Sequence, residues 1–121
     1  MPFFTGTDVN GVAATGLNEH WVTQAGEVVS HTGTGFHFLS HDFSTYTIEG
    51  TVRADSIGVT TNNDGTSNTV LIEEGGSVWS ASTGILMEAS DSRVINHGEI
   101  TGLSNDGIRL SGTGSDAFNT G

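Results

Sequence analysis

Apolar and polar residues alternate along this chain in short bursts, and each burst follows a glycine. Phe36-His37-Phe38 follows Gly35, Val59-Thr60-Thr61 follows Gly58, Ile85-Leu86-Met87 follows Gly84, and Ile108-Arg109-Leu110 follows Gly107. Separation by two puts Phe36 with Phe38, and Ile108 with Leu110, on one face of a strand, and turns His37 and Arg109 to the other. Alternation of this kind, with β-branched and aromatic residues between Gly, Asn, Asp and Ser, predicts short β-strands and no helix.

The glycines set a longer period. Gly26 and Gly35 stand 9 residues apart, Gly50 and Gly58 8, Gly76 and Gly84 8, Gly98 and Gly107 9. The first of each pair returns after 24, 26 and 22 residues, and Gly121 falls 23 after Gly98. A return every 22–26 residues is the mark of one structural unit stacked along an axis. Units are read at 21–44, 45–67, 68–92 and 93–116, with a partial coil at 117–121 and a cap or leader over 1–20.

Three strand segments per unit predict a three-sided coil, so the fold class is all-β, a single-stranded parallel β-helix. Two places after the first glycine come Val28, Val52, Val78 and Ile100; directly after the second come Phe36, Val59, Ile85 and Ile108. These are the expected inward columns of stacked coils, since one coil alone cannot bury its own apolar side chains. The paired glycines and Gly121 are expected at coil corners, where positive φ or a tight bend favours them. Unit three holds Gly75-Gly76, and either can be its first glycine. Gly75 would align Ile72 with Ile95 and Phe118; Gly76 would align Val78 with Ile100. Asn96 and Asn119 each sit two before a glycine. They are read as an inward Asn ladder between coils or as ordinary turn residues.

Composition narrows the partners. The chain of 121 residues, enough for one domain, holds 18 Gly, one Pro and no Cys, and its net charge is -11. Its only cations besides histidine are Arg53, Arg93 and Arg109, too few and too scattered to grip nucleic acid or an anionic membrane. A disordered acidic chain is the alternative to a fold, but the regular apolar segments, such as Val70-Leu71-Ile72, have somewhere to be buried. No apolar run is long enough to span a membrane. The first residues lack the basic and apolar regions of a secretory signal peptide.

The stretch Ile95-Asn-His-Gly-Glu-Ile-Thr-Gly-Leu-Ser-Asn-Asp-Gly-Ile-Arg-Leu-Ser-Gly112 resembles the coils of large secreted bacterial β-solenoid proteins. These include the haemolysin-type (RTX-like) calcium-binding proteins and autotransporter-like passengers. The resemblance covers 21–121 and is strongest in units three and four. It implies a right-handed helix and an extracellular or cell-surface location reached without an N-terminal signal. It also implies that the chain is the N-terminal end of something longer, or a unit that assembles end to end.

Candidate chemistry is sparse. Ser111-Gly-Thr-Gly-Ser-Asp116-Ala-Phe-Asn119 matches one copy of the calcium-binding nonapeptide, with Ser111 in place of its first glycine. Asp116 is the candidate calcium ligand, although the mechanism needs tandem copies. His31, His37 and His41 lack a carboxylate or thiolate at a zinc-site spacing. Asp55 with Asp64, and Asp91 with Asp106, are the carboxylate pairs that could be proposed, as on any acidic surface. Trp79 or Tyr46 beside such a pair would suit a sugar. With no Lys and three scattered Arg, a polysaccharide lyase lacks its base and its charge stabiliser. Dense Thr at 45, 47, 60 and 61 does not continue as the column an ice-binding face would need. The reading is therefore non-enzymatic: a structural solenoid of a secreted surface, matrix or filament protein, self-associating head to tail. The alternative is a calcium-binding adhesin segment, and the third is a carbohydrate-binding or carbohydrate-processing β-helix.

Overall fold

A computed structural model describes residues 12–13, 20–38, 42–61 and 66–119. Most of the expected leader over 1–20, together with His41, Asp64 and Gly121, lies outside them. Among the described residues every regular element is a strand, and all pairings are parallel. The strands build a β-solenoid with three sheets. The first sheet stacks β1 (Val12–Ala13), β4 (Thr34–His37), β7 (Ile57–Thr60), β10 (Thr83–Met87) and β13 (Ile108–Leu110). The second stacks β2 (His20–Thr23), β5 (Thr45–Ile48), β8 (Thr69–Ile72), β11 (Arg93–Asn96) and β14 (Asp116–Asn119). The third stacks β3 (Val28–His31), β6 (Thr51–Ala54), β9 (Ser77–Ser80) and β12 (Glu99–Gly102). The chain visits the sheets in this order, once per turn.

Inside runs one continuous core. The column Phe36, Val59, Ile85, Ile108 follows the register of the first sheet, and Tyr46, Val70 and Val94 follow that of the second. Phe36 lies stacked on Tyr46 at 4.2 Å between ring centres and edge-on to Phe38 at 5.1 Å. All of these except Ile108 are fully buried, and Ile108 packs on the rest from the last turn. A fully buried Val or Ile contributes about 1.5–3 kcal/mol relative to exposure, so stacking carries the fold.

The third sheet corrects one expected column. Val52, Val78 and Ile100 are in register, but Val28 pairs with Thr51 and is only half-buried. Val29 pairs with Val52 and is fully buried. The cause is at the corner between the second and third sheets, which alternates in length. Two residues, Glu49-Gly50 and His97-Gly98, suffice between β5 and β6 and between β11 and β12. Four are used between β2 and β3, Gln24 to Glu27, and between β8 and β9, Glu73 to Gly76. In the long corners the Glu27 amide donates to the Gln24 carbonyl at 3.0 Å, and the Gly76 amide to Glu73 at 2.9 Å. The third residue of each turn is left-handed: Gly26 at φ 85° and Gly75 at φ 89°. Gly26 is thus the counterpart of Gly75, not of Gly50, and counting from it slips the column by one. Unit three needs both its glycines, Gly75 for the turn and Gly76 for the stack with Gly50 and Gly98. Leu71, not Ile72, then aligns with Ile95 and Phe118.

The second glycines also differ from expectation. Gly35, Gly58 and Gly84 sit inside strands, and none has positive φ. What demands glycine there is proximity to the next turn. A Cβ on Gly35 would lie 2.6 Å from the Gly58 carbonyl oxygen and 2.7 Å from a Val52 methyl. Gly84 meets the Gly107 oxygen and an Ile100 methyl at the same two distances.

Candidate functional site

The residues singled out by sequence lie on different parts of the coil. Asp116, the candidate calcium ligand, opens β14 on the outer face of the second sheet. Its carboxylate accepts from Arg93 Nε at 3.1 Å and Arg93 Nη2 at 3.2 Å. Gly114, within the calcium-type nonapeptide, has φ 78° and caps a column of left-handed corner residues. Below it in successive turns stand Phe43, Ser67 and Asp91, with φ of 58°, 58° and 52°. Beside this column runs a polar stack. The Ser44 amide donates to Asn68 Oδ1 at 3.0 Å, the Ser92 amide to Ser115 Oγ at 3.1 Å, and Ser92 Oγ to the Ala89 carbonyl at 2.7 Å. Among the described residues no three His, Cys, Asp or Glu side chains come together as a metal centre would require.

The aromatic and acidic candidates do not converge. Tyr46 is fully buried, and its hydroxyl hydrogen-bonds to Thr23. Burial raises its phenol above the ordinary range, against the smaller effect of that hydrogen bond. It is a core residue and lines no groove. Trp79 stands on the outer face of the third sheet beneath the Arg53 guanidinium, 4.2 Å from ring centre to Cζ. Asp91 belongs to the corner before β11, whereas Asp106 lies between β12 and β13, on another corner. Of the three expected histidines, His37 has a described side chain. It is half-buried on the outer face of β4, and desolvation lowers its pKa while the Glu88 carboxylate pulls it upward.

What the structure does gather is an edge. Among the described residues β12, β13 and β14 end the three sheets on the same side. Each ladder of the interior reaches them unbroken. Asn96 Nδ2 donates to Asn119 Oδ1 at 2.8 Å, while Asn96 Oδ1 accepts the Gly98 amide at 3.0 Å. Asn119 thus stands one turn above Asn96 in the same register. Ile100, Ile108 and Leu110 are half-buried, and Ala117 and Phe118 are exposed, Phe118 at 63%. An open groove of about 340 Å³ borders this edge, lined by Arg93, Ile95, His97, Asp116, Ala117 and Phe118. The left-handed column and the Ser/Asn stack escaped sequence reading. The stack's signal was a polar residue at the repeat period, Ser44, Asn68, Ser92 and Ser115, whereas the left-handed column shares no residue type and has no glycine to mark it until Gly114.

Compared with protein-family models, curated proteins and solved structures, the chain matches none.

Proposed function

We propose that the protein is a non-enzymatic structural solenoid of a bacterial surface, matrix or filament protein, lengthened by adding coils to its ends. The supporting observation is the edge formed by β12, β13 and β14, where in-register columns of apolar, Asn and charged residues reach the surface. An unpaired strand edge with exposed apolar residues templates further strands, and a head-to-tail contact that does not close gives a filament. An acidic chain without Lys suits an extended body that must not collapse onto polyanions. The secreted location rests on the resemblance of the Ile95–Gly112 coil to secreted solenoids. Sedimentation velocity and electron microscopy over a concentration series test the reading. Particles that lengthen in one dimension as concentration rises support it; a strict monomer at the highest concentration overturns it.

A further inference from the structure

We propose that the outer face of the second sheet carries a saccharide-binding cleft, built around the Arg93–Asp116 pair and fitted to a neutral oligosaccharide. The site does not depend on what stacks on the coil ends, nor on the assembly reading above. It begins with side-chain alternation. Arg93 and Ile95 face outward from β11, with Asp91 exposed at the corner before it, while Ser92, Val94 and Asn96 are buried. Register then sets Thr69 on one side of Arg93 and Asp116 on the other, and Leu71 and Phe118 likewise on the two sides of Ile95.

Two depressions lie on that face, and they share the ion pair. One is the groove of about 340 Å³ lined by Ile95, His97 and Phe118. The other, of about 320 Å³, is lined by Ser67, Thr69 and Asp91. Arg93 and Asp116 border both, so the two form one cleft with an apolar half and a half of hydroxyls and carboxylate. Each volume sits at the lower end of the range of small-molecule sites, roughly 300–1,000 Å³. The cleft opens sideways. Arg93 and Ile95 have turns on both sides of them, yet Arg93 stays exposed and Ile95 half-buried. A turn stacked on β14 would therefore lengthen this face without roofing it.

The lining selects the ligand. The exposed Phe118 ring and Ile95 offer an apolar surface to the C–H face of a sugar ring. Arg93 holds Asp116 through Nε and Nη2, which leaves guanidinium N–H groups and carboxylate lone pairs for sugar hydroxyls. Asp91, Ser67 and Thr69 continue that polar surface. A saccharide presents both chemistries on one molecule. A lipid or an apolar peptide would take water from the charged pair without replacing its hydrogen bonds, and a lone ion would leave Phe118 and Ile95 unused. Two carboxylates stand here against one guanidinium, and the whole chain carries -11. Uronates, sulfated glycans and nucleic acid are thus disfavoured against a neutral glycan.

The test is amide NMR of the full isotope-labelled chain, titrated with cellohexaose, maltohexaose, xylohexaose and chitohexaose, each to about 5 mM, to reach millimolar affinities. Trigalacturonate and calcium chloride are the contrasts. One of the neutral saccharides should move the amides of Ser67, Thr69, Arg93, Ile95 and Phe118 together. Phe118→Ala, at an exposed position, should keep the melting of the parent but weaken that saccharide roughly threefold to tenfold. Phe118→Tyr should restore the parent affinity, because it keeps the face of the ring. The cleft is refuted if no neutral saccharide moves these amides, if Phe118→Ala binds as tightly as the parent, or if only trigalacturonate or calcium moves them. A monomer that binds saccharide sinks the end-to-end reading alone, and an assembling chain with a silent cleft sinks this one alone.

Discussion

The turn formed by β8, β9 and β10 and the turn formed by β11, β12 and β13 share one sequence grammar but not one environment. In the first, Val70, Ile72, Ile85 and Met87 are fully buried and Val78 is 1% exposed. In the second, Val94 is buried, but Ile100, Ile108 and Leu110 are only half-covered. Nothing in the residues themselves explains this. In a stacked coil a side chain's weight is set by whether a turn lies on both sides of it. Identical letters at equivalent positions should therefore have unequal energetic consequences, and that inequality can be measured on the dilute, monomeric protein.

The largest contrast is a cavity. Ile85→Ala removes a fully buried side chain enclosed by turns on both sides, and should cost about 2–5 kcal/mol in urea unfolding. Ile108→Ala, one turn along the same column, should cost less than half as much, because solvent already reaches the site. Equal losses at the two positions would mean that the last turn is as enclosed as the middle one.

Next comes the glycine column. Gly84→Ala drives a methyl into the Gly107 carbonyl and an Ile100 methyl, and backbone cannot step aside cheaply. Overpacking of this kind costs about 1–3 kcal/mol. Gly107→Ala meets open space, so the entropy lost from the unfolded chain should leave stability unchanged or raised by about 0.4–1 kcal/mol. Chemical denaturation of the two alanine variants decides the matter; a Gly107→Ala loss as large as that of Gly84→Ala would place a turn over the monomer's edge.

The corner before each strand of the second sheet offers a smaller and reversed contrast. Ser67 holds a left-handed backbone that L-residues occupy at a cost of about 1–2 kcal/mol. Ser67→Gly should therefore raise the melting midpoint, with part of the gain offset by the looser unfolded chain. Gly114→Ala, at the same corner in the last turn, should lower it, with stability reduced by about 1 kcal/mol, because alanine meets the left-handed cost glycine avoids. Thermal unfolding reads both signs, and matching signs would separate the two corners.

Legibility in the sequence followed the same divide. The strands and the stacking were visible because side-chain alternation and a return of glycine are both periodic. The Val28 column failed because glycine serves two unrelated needs here, a left-handed turn at Gly26 and Gly75 and close stacking at Gly50, Gly76 and Gly98. One letter cannot show which. Tyr46 beside a pair of acids would have suited a sugar, but the alternation of β5 points it inward with Val70, where Thr23 satisfies its hydroxyl. The corner column of Phe43, Ser67 and Asp91 was invisible, since no residue type recurs in it and of the three only Asp91 readily tolerates the left-handed conformation that the turn imposes. For Asp116 the nonapeptide suggested a ligand. The salt bridge depends on Arg93, a residue one whole turn away, which local spacing does not reveal.

That ion pair gives the smallest expected effect and the finest test of the last turn. Both side chains are more than half exposed, at 57% and 60%, so water screens the attraction even though two hydrogen bonds join them. Exposed pairs of this kind contribute about 0.2–1 kcal/mol. Asp116→Asn should thus lower stability within that range in dilute buffer, and the difference should shrink further in about 0.5 M salt, where the screening length falls to a few ångströms. Thermal melts at the two ionic strengths provide the comparison. A loss above the range that persists in salt would mean that a further side chain reaches Asp116 from above, since Arg93, with a turn on both sides, is still more than half exposed. The same variant thus reports whether the edge of β14 is bare or already covered in the sample being measured.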